Sequence, residues 1–229
     1  MKVLAIDTSN YVMGVALLDG ATIVGEIITN LKKNHSVRLM PAIEQLLKEC
    51  DVKPAELEKI AVAAGPGSYT GVRIGVTVAK TLAWSLNIPL VGVSSLEVLA
   101  ANGAYFNGYI CPLFDARRQQ IYTGLYTYNE RIQKVEEERI ILIQEWLQML
   151  KKLEKPILFI GNDIALHEDT IKRELGEQAV FAPVSTHNPR PSELALLGTE
   201  KEASAVHEFV PNYIRLAEAE ANWLANQNK

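Results

Sequence analysis

The sequence predicts an α/β fold of two similar lobes, and three observations carry that prediction. A strand ending in an aspartate, followed by a polar turn and two further strands, occurs at the start of the chain and again from Tyr109. Each unit then continues into helical patterns and further short apolar strands. Within the first unit, Gly65 to Gly75 (Gly-Pro-Gly-Ser-Tyr-Thr-Gly-Val-Arg-Ile-Gly) joins a buried strand to an amphipathic helix. The lobes are expected at 1–102 and 103–204, with the tail of about 205–229 packing back on the first lobe.

In the first unit, Val3 to Ile6 is a buried strand that ends in the polar turn Asp7-Thr8-Ser9-Asn10. Val12 to Leu18 returns, Asp19-Gly20 turns again, and Thr22 to Ile28 is a third strand. An acid after a first strand, followed by hydroxyls and a hairpin, suits phosphate and Mg²⁺ binding in actin-like ATPases. The same residues equally form a hairpin turn whose Asp and Ser bond their own backbone. His35 to Cys50 reads as a helix with Pro41 near its first turn or kinking it. Its apolar residues fall on two stripes, Leu39, Ile43, Leu46 and Cys50, and also Val37, Met40 and Leu47. One stripe suffices to dock on a sheet, so the second is either a partner surface or a second buried side.

Ile60 to Ala64 is the next strand, and the glycine turn follows it. Ser68 and Thr70 are available to cap the helix that comes after. Such a turn can cradle an anion on unpaired N–H groups, or it can be a tight strand-to-helix joint. It is not a Walker loop, because no Lys sits in it, and it is not a Rossmann fingerprint, because Thr70 stands where the third glycine belongs. Nor is Ser68 framed as a nucleophile elbow. In the helix, Val72, Val76, Ala79 and Ala83 form the inward stripe, while Arg73, Thr77, Lys80 and Trp84 line another face. Gly71 and Gly75 would let another backbone approach closely.

Pro89 to Val93 is a strand and Ser94 opens a helix to about Ala101; Asn102-Gly103 and Asn107-Gly108 flank the boundary between units. The second unit runs through the strand Tyr109 to Phe114, then Asp115-Ala116-Arg117, then strands at Gln120 to Tyr128 and Val135 to Leu142. A helix around Trp146 to Leu153, a strand Ile157 to Ile160 ending at Gly161-Asn162-Asp163, a helix to about Leu175 and a strand Val180 to Val184 follow. Pro189 to Ser192 starts a short helix, and the tail carries Pro211-Asn212-Tyr213-Ile214-Arg215.

Composition narrows the function. The chain has 229 residues, 48% hydrophobic, with a net charge of −4, which describes an ordinary globular protein without the basic signature of a direct nucleic-acid binder. Cys50 and Cys111 have no metal or redox spacing, and because the first residues read straight into a strand no signal peptide is expected. Lys80 interrupts the best apolar stretch, so no membrane span is expected and the predicted location is the cytoplasm.

The chain resembles the TsaB (YeaZ) family, the bacterial partner subunit in making threonylcarbamoyladenosine in tRNA. The resemblance is carried by Leu4-Ala5-Ile6-Asp7-Thr8-Ser9, His35-Ser36, the Gly65 to Gly75 signature, Val91-Gly92-Val93-Ser94-Ser95-Leu96, Asp115-Ala116-Arg117 with Tyr122, and Pro211 to Arg215. It implies an actin-like (ASKHA, ribonuclease H-like) fold of two lobes. It also implies a TsaD-type catalytic subunit as partner, a TsaE-type ATPase in a larger assembly, a homodimer when the chain is free, and tRNA reached only through the complex.

Comparison with the catalytic relative bears on whether the chain is an enzyme. In the TsaD family a similar glycine loop leads to Asn-His-Leu-Glu-Gly-His, whose two histidines bind a metal. The corresponding stretch here is Ser94-Ser95-Leu96-Glu97-Val98-Leu99, so both ligand positions are lost, to Ser95 and Leu99. The remaining histidines, His35, His167, His187 and His207, form no spaced pair, and there is no zinc-protease motif. The expectation is a non-catalytic subunit without cofactor or metal.

By position, Asp7, Thr8, Ser9, Asp115, Arg117 and Gly161 are vestigial nucleotide-loop candidates, and in the Asp7 and Asp115 turns side chains replace the usual glycines. The alternative is a stand-alone actin-like small-molecule kinase or ATPase. The partner surface expected from the resemblance and the two stripes comprises Val37, Met40, Leu47, Gly71, Arg73, Gly75, Thr77, Lys80 and Trp84.

Overall fold

The computed structural model describes residues 1–214. Arg215 and the rest of the tail to residue 229, assigned above to the first lobe, lie outside the described residues.

Strands β1 (Lys2–Asp7), β2 (Val12–Asp19) and β3 (Thr22–Asn30) form an antiparallel meander. Helix α1 (Leu39–Glu49), strand β4 (Lys59–Ala63), helix α2 (Tyr69–Leu86), strand β5 (Leu90–Val93) and helix α3 (Ser95–Ala101) follow. The sheet order is β3-β2-β1-β4-β5, with β4 parallel to β1 and β5 parallel to β4.

The second unit repeats this plan. Strands β6 (Tyr109–Asp115), β7 (Gln120–Asn129) and β8 (Arg131–Leu142) form the meander. Helix α4 (Ile143–Leu150), strand β9 (Ile157–Ile160), helix α5 (Glu168–Leu175) and strand β10 (Ala179–Phe181) complete it, before helix α6 (Pro191–Glu200). Its order is β8-β7-β6-β9-β10, the same topology, so the duplicated pattern is an actin-like two-lobe α/β fold.

Burial explains why the central strands carry unbroken apolar runs. Val3 to Ile6 are fully buried because both faces of the first sheet are covered. Leu4 and Ile6 join α1 and α2 through Leu39, Ile43, Leu46, Val72 and Val76. Val3 and Ala5 point the other way, into a cluster with Ala61, Leu194 and Ala195. The second face is therefore covered by α6, which approaches so closely that a Cβ at Gly198 would lie 2.6 Å from the Cβ of Ala61.

This packing corrects the expected lobe boundaries. Residues 191–200 were assigned to the second lobe, yet α6 lies on the first sheet. Helix α3, expected in the first lobe, serves both: Val98 packs with Val3 and Ala5, while Leu96, Leu99 and Ala100 share a core with Ile110, Phe114, Tyr126 and Ile160 of the second. Each lobe thus lends a helix to the other, and contiguous sequence ranges do not describe the packing.

Smaller differences have local causes. The first helix begins at Leu39, after a single 3-10 turn at His35–Val37, which places Pro41 in its first turn, where a missing N–H costs no helical bond. The last strand is short, ending at Phe181 with Pro183 two residues beyond. Residues Asn162–Leu166 form a 3-10 segment before α5. Ser68 caps α2, its hydroxyl accepting from the Gly71 N–H at 3.3 Å. No helix among the described residues is long and apolar enough to cross a membrane.

Because the Gly198 contact is with the sheet itself, a branched side chain there has nowhere to go. Gly198→Val is expected to lower stability by about 2 kcal/mol through overpacking, read as a shift in the urea midpoint. An unchanged midpoint would show that α6 can lift from the sheet at no cost.

Candidate functional site

Two surfaces collect the residues singled out in the sequence: the cleft between the lobes and the outer faces of α1 and α2. The cleft encloses about 1350 Å³. Its first-lobe wall includes Lys32, Lys33, Ser68 and Thr70, and its second-lobe wall includes Asp115, Arg117 and Asp163.

Of the first turn, only Asn10 lines this cleft. Asp7, Thr8 and Ser9 are all buried, because the glycine signature lies directly over them. A Cβ at Gly67 would overlap the carbonyl oxygen of Ser9, and one at Gly71 would overlap that of Thr8. The Ser68 N–H donates to Ser9 O at 2.7 Å, and the Thr8 hydroxyl donates to Gly71 O at 2.8 Å. The glycines are therefore filled by the chain's own backbone, which makes this stretch a strand-to-helix joint. Asp7 Oδ1 accepts from the Ser9 N–H at 2.8 Å, while Oδ2 has no partner among the described residues. Burial pushes the Asp7 carboxyl up, towards its neutral form. A carboxyl sealed in this way takes no part in lining the cleft.

The second turn is open. Asp115 Oδ1 lies 3.2 Å from His167 Nε2, and Oδ2 accepts from the Arg117 N–H at 3.2 Å. The Asp115 N–H donates to Asp163 Oδ2 at 2.9 Å. Burial, with the Asp115 charge adding to it, pushes the Asp163 carboxyl up against the pull of that hydrogen bond. Arg117, Arg118 and Gln119 all have left-handed φ, at 65°, 52° and 61°. Non-glycine residues there cost about 1 kcal/mol each. Gly161 is buried behind the wall, its N–H donating to His187 Nδ1 at 3.2 Å. Of the nucleotide-loop residues, then, Asp115 and Arg117 reach the cleft and Asp7, Thr8, Ser9 and Gly161 do not.

Sequence reading missed Asp163 and His167 as partners of Asp115. The signal available was the Gly-Asn-Asp turn itself; nothing local marked His167. His35 serves as a bracket, its Nε2 lying 2.8 Å from Asn10 O. No cluster of three metal-type side chains occurs among the described residues. Ser95 and Leu99 are fully buried, Ser95 accepting from the Gly65 N–H at 3.2 Å and Leu99 sitting in the interlobe core.

The helix faces divide the expected partner residues. Val37 is 69% exposed, Met40 46% and Trp84 65%, and Arg73 and Thr77 are also on the surface. Leu47 is not; it packs in the first-lobe core with Leu39 and Ile43. Gly71 and Gly75 face inward as well, Gly75 with a would-be Cβ 2.5 Å from the Thr8 hydroxyl oxygen. Lys80 is half-buried and committed to the tail, its Nζ donating to Phe209 O at 2.7 Å and His207 O at 3.1 Å. Leu47, Gly71, Gly75 and Lys80 therefore do not form a free surface.

Comparisons with known proteins agree with this scaffold. Residues 22–223 match the family model described as TsaD, tRNA N6-adenosine threonylcarbamoyltransferase. The chain is 58% identical over 228 residues to the tRNA threonylcarbamoyladenosine biosynthesis protein TsaB of Bacillus subtilis, covering 99% of this chain and 100% of that protein. It is 33% identical over 132 residues to TsaB of Escherichia coli, covering 57% of each. The structure of YeaZ from Pseudomonas aeruginosa superposes with a TM-score of 0.75 at 25% identity, covering 93% of this chain and 99% of that one. With nearly the whole length matched at that identity, on a duplicated two-lobe scaffold, the chain belongs to the TsaB family of tRNA threonylcarbamoyladenosine biosynthesis proteins.

Proposed function

We propose that this chain is a non-catalytic partner that binds a TsaD-type catalytic subunit and activates or stabilises it. The reaction served is transfer of threonylcarbamoyl from its adenylate to N6 of an adenosine beside the anticodon, in an assembly that also holds a TsaE-type ATPase. The observation that carries this reading is the burial of Ser95 and Leu99, at the positions where the catalytic family places metal-binding histidines. Neither residue is a metal ligand, and neither reaches solvent. The sealed Asp7 turn weighs against the alternative of a stand-alone kinase or ATPase, because the first phosphate position is filled by protein. tRNA is reached through the complex, in the cytoplasm.

The partner surface in this reading is the exposed set Val37, Met40, Arg73, Thr77 and Trp84, on α1 with its preceding turn and on α2. A second copy of the chain can use the same faces, giving a free homodimer that competes with the heterodimer. Packing of these helices against two from the partner makes a four-helix contact.

Two outcomes are expected. The purified chain transfers no threonylcarbamoyl to tRNA, holds no stoichiometric iron or zinc, and gives no low-micromolar ATP–Mg²⁺ binding by calorimetry; turnover of ATP by the lone chain would restore the kinase reading. In addition, Trp84→Ala weakens binding to the catalytic subunit by about 2 kcal/mol, or about thirtyfold. Met40→Asp weakens it more, by placing a charge in an apolar seam. Both variants keep their circular dichroism spectrum, whereas Leu47→Asp loses it, since that side chain belongs to the core. Wild-type affinity in folded Met40→Asp and Trp84→Ala would move the interface elsewhere.

A further inference from the structure

Between the turn that precedes α1 and the side of α2 lies a groove of about 420 Å³. Ile74 and Val78 form its apolar walls, Ser36, Thr70 and Thr77 its polar rim, and Arg73 is its one charge among the described residues. Ser36 adjoins the exposed Val37, so the groove is continuous with the apolar surface already assigned to the partner.

Arg73 is not left to find its own conformation. Its guanidinium lies over the Tyr69 ring, 5.1 Å from the centroid, and Nη1 donates to the Tyr69 hydroxyl at 2.8 Å. Tyr69 in turn stacks on Tyr213, with ring centroids 5.2 Å apart at a 32° tilt. Tyr213 is delivered by a strap, residues 204–214, that is fixed along the first lobe at several points. The Ser204 N–H donates to Leu90 O at 2.9 Å, and the Phe209 ring fills the space beside Gly92, where a Cβ would come within 2.6 Å of it. Lys80 holds two strap carbonyls, and the Asn212 N–H donates to Ala64 O at 2.7 Å. Four separate contacts thus set the place of one aromatic ring, and that ring sets the place of the arginine in the groove.

We propose that the groove receives an apolar side chain of the catalytic partner flanked by a carboxylate, that the carboxylate pairs with Arg73, and that Tyr213 is the positioning residue that holds Arg73 ready through Tyr69. This rests on the partner-subunit reading above. Apolar walls select an apolar side chain, and a cation with no carboxylate beside it among the described lining residues selects an anion. An arginine already held in its bound geometry loses less conformational freedom on binding than a mobile one.

The test is a double-mutant cycle, with affinity for the TsaD-type subunit measured by calorimetry at two salt concentrations and circular dichroism as the folding control. Arg73→Ala is expected to bind about tenfold more weakly and to show a smaller loss of affinity with salt than the wild type. Tyr213→Ala is expected to bind about fivefold more weakly, Tyr213→Phe at nearly wild-type affinity, and the Arg73→Ala/Tyr213→Ala double variant no more weakly than Arg73→Ala alone. Tyr69→Phe keeps the stack but removes the hydroxyl acceptor, and is expected to lose about twofold to threefold even if Tyr213→Ala fails to fold. Additive losses for Arg73 and Tyr213, or wild-type affinity in Tyr69→Phe and Tyr213→Ala, overturn the positioning role. If Met40→Asp and Trp84→Ala also bind like the wild type, the partner-surface reading itself falls; if those two are weakened, only the present inference does.

Discussion

The structure depends on a backbone-to-backbone contact at the end of the first strand. Thr8 and Ser9 lie against a row of glycines in the 65–75 stretch, at a separation that leaves no room for a side chain. Two hydrogen bonds lock the contact, Ser68 N–H to Ser9 O and the Thr8 hydroxyl to Gly71 O. It fixes the start of α2 relative to β1, and an 18-residue helix then carries that orientation to its far end. One consequence is chemical, since Asp7, Thr8 and Ser9 are sealed from the cleft. The other is architectural: the inward row Gly71, Gly75, Ala79 and Ala83 is buried, so the opposite face of α2, with Arg73, Thr77 and Trp84, turns outward.

The two halves share one topology and have diverged in their turns. In the first, glycines from another element close over the turn. In the second, the turn stays open and its three left-handed residues are arginine, arginine and glutamine instead of glycines. Strain of this kind persists where surrounding contacts over-determine it, and the Asp115–Asp163–His167 network supplies such contacts. The cleft is therefore asymmetric: its charged groups come from the second half and from the loop holding Lys32 and Lys33, with little from the first turn.

Most of the fold was legible because local rules suffice for it. Strand–acid–turn–strand is a short-range pattern, and the glycine turn stands between a strand and a helix that are each unmistakable in periodicity. The errors on the helix faces have two sources. Leu47 follows Leu39 and Ile43 at intervals of four, so it belongs to the buried row and not with Val37 and Met40. Gly71 and Gly75 likewise continue into Ala79 at intervals of four, and small residues in such a row mark a close neighbour without saying whether that neighbour is the same chain. Lys80 does sit on the outward row; what removes it from the surface is a contact with residues more than a hundred positions later, which no local pattern records. The exchange of α3 and α6 between lobes was hidden for the same reason, as was the pairing of Asp115 with His167.

That exchange of helices governs how the chain becomes a protein. The five strands of the first sheet are all present once Val93 has been made, but of the face bearing Val3, Ala5 and Ala61 only the part under Val98 of α3 has cover until Pro191–Glu200 is synthesised. During the intervening hundred or so residues an apolar sheet face waits open, at roughly 5–20 residues per second of elongation. Folding of the first lobe is thus tied to near-completion of the whole chain, and a ribosome stalled in the second half leaves a sticky half-sheet in place of an independent domain.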